Sequence, residues 1–133
     1  MALCWSSGPA AGPEEWQRAF AGLLERRQAA LGAGARVPAN WDAPRREQPD
    51  AEVLAGAGFE LAGRYESPVS HEWTVPELAG YVRSTSPLPP SVLGEHGPEF
   101  DAKLAASVGR YVRDGRLTET VSYAYELARK PAA

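Results

Sequence analysis

The period of the apolar positions changes several times along the 133 residues, and each change marks an element. Residues 1–5 form a short apolar run closed by Ser6, Ser7, Gly8 and Pro9, which reads as a buried strand entering a loop. Pro13 stands where a helix starts, Glu14 and Glu15 suit its first turn, and Trp16, Phe20, Leu23, Leu24 and Leu31 recur at helical spacing. Arg26 and Arg27 lie toward the end of this amphipathic helix, and Gly32 and Gly34 supply the stop. Residues 35–49 carry three prolines and no period, so they read as a surface loop pinned by Trp41. A short helix follows from Asp50, the expected cap, through Val53 and Leu54 to Gly56 or Gly58.

From Phe59 the period becomes two. Phe59, Leu61, Tyr65 and Val69 fall on one face of a strand, and Glu60, Arg64 and Glu66 on the other. Pro68 removes a ladder donor, so regular pairing is expected to end near Ser67 unless the strand lies at a sheet edge. Thr74 and Glu77 form a capping box, with Trp73 placed as a staple on Leu78, and open a helix to about Ser84. Residues 85–98 are a proline- and glycine-rich loop, after which Phe100, Leu104, Val108, Tyr111 and Val112 mark an amphipathic helix that Gly115 terminates. In residues 117–129, Leu117, Val121, Tyr123, Tyr125 and Leu127 alternate with Thr118, Thr120, Ser122 and Glu126, which predicts the longest strand. Strands separated by helices indicate one α/β domain over residues 1–133, with the last two strands antiparallel.

Composition narrows the function. A net charge of −3 and dispersed basic residues lack the electropositive footprint of a nucleic-acid binder, and the Arg45, Arg46 doublet reads as a solvated loop. Cys4 is the sole cysteine, which excludes an intramolecular disulfide and a thiolate zinc site; burial accounts for it. The apolar start is too short for a signal-peptide core or a membrane span, so a cytoplasmic protein without membrane association is expected.

Three stretches together resemble the end of class I S-adenosylmethionine-dependent methyltransferases of the small-molecule type. They are Met1 to Trp5, the Ala57, Gly58, Phe59, Glu60 strand entry, and the run from Leu117 to Leu127. The stretch from Trp73 to Ser86 (WTVPELAGYVRSTS) is similar to the segment between the sixth and seventh strands in bacterial members and in the trans-aconitate-type branch. The resemblance implies a partial Rossmann-like sheet. Residues 1–5 would be its fifth strand, 59–66 its sixth, and 117–129 its seventh, inserted antiparallel between the other two.

The family's front half, with its first strand, glycine-rich turn and acidic residue after the second strand, has no counterpart in these residues. Those parts hold the cofactor by close backbone approach and by a carboxylate on the ribose. The pairs Gly32, Gly34 and Gly56, Gly58 follow helices and read as helix stops. The resemblance therefore implies an acceptor-side region that binds no S-adenosylmethionine alone and is inactive alone. Its first strand would have an open edge, exposing the chain to instability, aggregation or self-association. A competing reading is a non-catalytic interaction module whose open edge pairs with a partner chain.

Ligands of open α/β sheets sit beyond the carboxyl ends of the parallel strands, which puts Trp5, Ser6 and Ser7 on the rim of a pocket. Trp73, Tyr81, Arg83 and Ser84 could wall a small-molecule acceptor, with Arg83 anchoring a carboxylate; packing and solvation are the blander roles for the same residues. His71 and His96 have the right chemistry for proton transfer but no metal-ligand spacing, and read as exposed or satisfied histidines. Ser84, Ser86 and Ser91 lack the glycine elbow of a nucleophilic serine. No catalytic, cofactor-binding or metal-binding residue is assigned.

Overall fold

The structure, a computed structural model, describes residues 1–39 and 43–132, apart from the side chains of Arg45 and Arg46. The pin assigned to Trp41 and the side-chain setting of the arginine doublet lie outside the described residues. The element order is β1 (Ala2–Ser6), α1 (Glu15–Ala30), α2 (Ala43–Glu47), α3 (Asp50–Gly56), β2 (Glu60–Trp73), α4 (Val75–Arg83), α5 (Pro90–Leu93), α6 (Gly97–Val108) and β3 (Leu117–Arg129), with 3-10 turns at Ala33–Arg36, Gly94–His96 and Gly109–Tyr111.

The fold is α/β with one small open sheet, in the order β1-β3-β2. The last strand lies between the other two, as expected. Its pairing with β1 is antiparallel, from Ala2 opposite Leu127 to Ser6 opposite Tyr123. Met1 both donates to and accepts from Ala128, and the Ser7 amide donates to Ser122. Odd-numbered amides of β1 therefore face β3, and those of Ala2, Cys4 and Ser6 face away from it.

Several expectations need correction. Residues 1–5 are not buried on both faces: β1 is an edge strand on which Ala2, Cys4 and Ser6 are exposed and Leu3 and Trp5 half-buried. Cys4 is thus exposed rather than packed away. β2 does not end near Ser67 but runs through Pro68 to Trp73, because it is the other edge of the sheet, where a missing amide leaves no neighbour unpaired. At 14 residues it is one longer than β3. The loop at residues 35–49 contains α2, and the loop at 85–98 contains α5 and a 3-10 turn, since prolines at helix starts support rather than break a single turn. Asp50 is the first helical residue of α3 and Pro49 its cap.

The helix predicted from Phe100 to Gly115 stops at Val108. Asp114 and Gly115 both have positive φ (49° and 76°) and sit inside a bridge between Arg113 and Arg116. Gly115 is therefore the second residue of a tight hairpin turn, not a helix stop. Gly58 (φ 80°) ends α3 in a Schellman arrangement, with Phe59 N–H on the Leu54 carbonyl (2.9 Å) and Gly58 N–H on that of Ala55 (3.0 Å).

Contacts divide the chain into two units, residues 1–7, 40–69 and 121–133, and residues 8–39 and 70–120. The second holds the principal core. Trp16, Phe20 and Leu23 of α1 meet Leu78, Ala79 and Val82 of α4, Phe100, Leu104 and Val108 of α6, and Leu88, Leu93 and Leu117. These are the spacings the sequence shows, so α1, α4 and α6 bury the stripes predicted for them.

The first unit buries much less. Leu54, Val121, Ala124, Ala128 and the carboxylate Glu126 are covered, while Leu61, Tyr65, Val69, Tyr123, Tyr125 and Leu127 are exposed. The more apolar face of the later part of β3 is therefore open, and β2 is exposed on both faces. Between Val121 and Ala124 the buried side of β3 changes from odd to even positions. The covered face there is the one with small alanines, and Tyr65 and Tyr125 stack on the other (centroids 5.0 Å apart).

Phe20 is fully buried at the centre of the larger core. Phe20→Ala should destabilise the protein by about 3–5 kcal/mol, as measured by urea unfolding followed by tryptophan fluorescence.

Candidate functional site

Glu119, near the amino end of β3, is 3% exposed. Its position in step with Leu117 and Val121 points it into the core of the second unit. A buried carboxylate is costly unless its oxygens are hydrogen-bonded, and both are. Gln17 Nε2 donates to Oε2 at 2.7 Å, and Trp73 Nε1 donates to Oε1 at 2.6 Å. Both donors are neutral, and among the described residues no ion pair reaches Glu119.

Each donor is placed by its own element. Gln17 is the third residue of α1, and its Oε1 accepts from the Glu14 backbone amide (3.1 Å), so its NH₂ must turn toward Glu119. A Cβ on Gly12 would lie 2.0 Å from that Oε1, so a larger residue there must displace the Gln17 amide. Trp16 anchors the same turn by donating to the Thr118 carbonyl (2.9 Å). Trp73 ends β2, immediately before the cap of α4, where Thr74 and Glu77 close the capping box the sequence predicts.

Aromatic rings gather around Trp73. His71 packs edge-on at 4.7 Å and Tyr81 at 5.8 Å, with interplanar angles of 75° and 65°. The Tyr81 hydroxyl would lie 3.1 Å from a Cβ on Gly8, in the loop after β1. Burial raises the Tyr81 pKa above its ordinary value, and the negative charge of Glu119 raises it further. The cluster thus joins the loop after β1, the carboxyl end of β2 and the amino end of the antiparallel β3.

Of the residues singled out in the sequence, Trp73 and Tyr81 meet here. Ser84 is at the end of α4, its hydroxyl donating to the Tyr81 carbonyl (2.6 Å). Arg83 instead makes a two-bond pair with Asp101 (2.7 and 2.8 Å), beside a cleft lined by Val75, Pro76, Ala79 and Leu104. Trp5 and Ser6 belong to the other unit, where the Arg64 guanidinium lies 5.2 Å from the Trp5 ring and pairs with Glu126 (3.5 Å). His96 faces Glu99 at 3.6 Å. Ser86 offers its carbonyl to Arg36 (2.8 Å). Among the described residues no three His, Cys, Asp or Glu side chains converge as metal ligands, and no helix is long and apolar enough to cross a membrane.

Sequence reasoning missed Gln17 and Glu119. A signal existed: a glutamate at position 119 shares the face of Leu117 and Val121, which a solvated strand residue would not. It also passed over Gly8 and Gly12, which do leave a strand and open a helix. Their close neighbours are Tyr81 and Gln17, and α1 begins with Glu14 and Glu15, a start that disfavours an anionic ligand.

Comparison with models of known families, with curated proteins and with solved structures finds no match to this chain.

Glu119→Ala should cost about 2–4 kcal/mol, because it leaves two donors without an acceptor; Glu119→Gln should cost less, since its amide oxygen keeps one of them. Paired urea titrations measure both. A tyrosine whose native pKa exceeds its unfolded value of about 10 keeps its proton longer in the folded state, so stability falls as pH rises through and above that value. Tyr81→Phe should remove that alkaline loss, and Glu119→Gln should lower the Tyr81 midpoint part of the way, read by absorbance near 295 nm.

Proposed function

We propose that this chain is the acceptor-side, carboxyl-terminal region of a class I S-adenosylmethionine-dependent methyltransferase acting on a small molecule, and that it does not hold the methyl donor alone. The observation that carries the reading is the strand arrangement. β3 is inserted antiparallel between β1 and β2, and helices fill both connections, which is the arrangement the sequence resemblance implies for fifth, seventh and sixth strands. The exposed face carrying Tyr65, Tyr123, Tyr125 and Leu127, together with the outer edge of β1, supports a sheet that requires further strands and a further layer.

In this reading the bound donor supplies an electrophilic methyl group. The residues described here orient the acceptor, since methyl transfer depends largely on holding two reactants in line. Trp73 and Tyr81 form the acceptor wall, with Glu119 fixing the indole from behind. Trp5 and Ser6 belong to the other unit and are not assigned to this wall. Arg83 and Ser84 contribute less, because Asp101 and the Tyr81 carbonyl occupy them. The residues do not fit a donor cradle: the glycine loop that leaves β1 and opens α1 is closed by Gln17 and Tyr81.

A second reading, an interaction module that adds a partner strand to β1, draws on the outward amides of Ala2, Cys4 and Ser6. Two measurements separate the readings. Calorimetric titration with S-adenosylmethionine should show no binding heat; saturable heat would place the donor site within these residues and overturn the proposal. Cys4→Pro removes one outward amide while sparing the β3 ladder. A partner or second copy that adds a strand should dissociate from this variant in light scattering after gel filtration, whereas donor binding to a reconstituted full-length fold would depend on the missing strands.

A further inference from the structure

We infer that the cleft between α1 and α6 is a binding site for a small anionic amphiphile, a carboxylate head group on a short hydrocarbon body. The inference is independent of the methyltransferase reading. The two helices pack on each other within one unit. Between them Leu23 lies buried at the base, exposed Ala30 and Ala106 flank it, and Arg26, Arg27, Lys103 and Ser107 complete the lining of a cleft of about 580 Å³. That volume falls within the range of small-molecule sites.

The local charge decides the ligand. Arg27 and Lys103 share one carboxylate, Glu99, at 3.2 and 2.6 Å. Glu99 also faces His96 at 3.6 Å, and hydrogen bonds from Lys103 and Arg27 hold its pKa down at about 2. It is therefore ionised near neutral pH. Arg26, Arg27 and Lys103 set three positive charges against that single negative one, in a chain whose net charge is −3. An anion drawn here is drawn by the cleft and not by the molecule as a whole.

Arg27 is the key group because it is only 7% exposed. Its stem is held among core residues, which reduces the entropy lost when its planar guanidinium meets a carboxylate. Lys103 reaches over from the next helix as a flexible second donor. Glu99 acts as an internal competitor, occupying the donors that a ligand head group would take.

The full chain is titrated calorimetrically with decanoate, acetate and decyltrimethylammonium. Decanoate should bind at one saturable site, and neither the head group alone nor the cationic amphiphile should bind. Arg26→Gln with Lys103→Gln should weaken decanoate by about tenfold or more. Arg129→Gln, a charge removal on the exposed end of β3, should leave it unchanged. Glu99→Gln frees the two donors and should tighten binding severalfold, with a correspondingly larger rise in melting temperature on adding decanoate, a gain that a purely structural ion pair would not produce. Absence of decanoate binding, equal binding by the double variant, or weaker binding by Glu99→Gln would each overturn the inference.

Discussion

The arrangement of the larger unit turns on the Glu119 carboxylate. At 3% exposure it must be bonded through both oxygens, and the two donors that meet it come from different elements. Gln17 can serve only because its own oxygen is already held by the Glu14 amide, so one short chain of hydrogen bonds sets where α1 begins. Trp73 can serve only if β2 continues beyond Pro68 to position 73, which it does. The start of α1, the end of β2 and the start of β3 are thus fixed at one point. Tyr81 then packs against an indole whose plane is already determined.

The two units differ in how they treat a buried acid. Glu119 is met by neutral donors in a unit with a full aromatic and aliphatic core. Glu126, 7% exposed, is reached by the half-exposed Arg64, which also lies over Trp5, in a unit whose buried hydrocarbon is limited to Leu54, Val121, Ala124 and Ala128. Burying Ala124 and Ala128 while Tyr123, Tyr125 and Leu127 stay 38–49% exposed leaves the larger apolar side chains of β3 partly in solvent there. Stacking of Tyr65 on Tyr125 recovers a small part of it. A sheet with aromatic residues on its open face and alanines on its covered face is stabilised most by an additional layer on the open side.

Helices α1, α3 and α4, the apolar stripe of α6 and the limits of β3 were legible in the sequence because their signals are local. The capping box at Thr74 and Glu77, the i, i+4 run Phe100, Leu104, Val108, and the alternation from Leu117 to Arg129 each need only neighbours in the chain. Which face of a strand is covered is not local. Period two separates Tyr123, Tyr125 and Leu127 from Ala124, Glu126 and Ala128, but the choice between them belongs to whatever packs there. The candidate site was half legible for the same reason. Trp73 and Tyr81 stand eight residues apart around a capping box, whereas the contacts of Glu119 to Gln17 and Trp73 span 102 and 46 residues. The Asp114, Gly115 pair was a local signal for a hairpin turn, overlooked because a glycine after a helical pattern also fits a helix end.

Helix α1 carries both polar centres of its unit, and their separation keeps them distinct. Gln17 and Arg26 are nine residues apart, about 14 Å along a helix axis. Phe20 and Leu23 fill the interval with buried hydrocarbon. The signs are also opposite: Glu119 presents a carboxylate behind an aromatic wall, while Arg26, Arg27 and Lys103 present an excess of positive charge around the buried Leu23. A ligand matched to one centre is mismatched to the other. An anion suited to the cleft would meet repulsion from Glu119, and a cation suited to Trp73 and Tyr81 would find the one carboxylate near the cleft, Glu99, already held by Arg27 and Lys103.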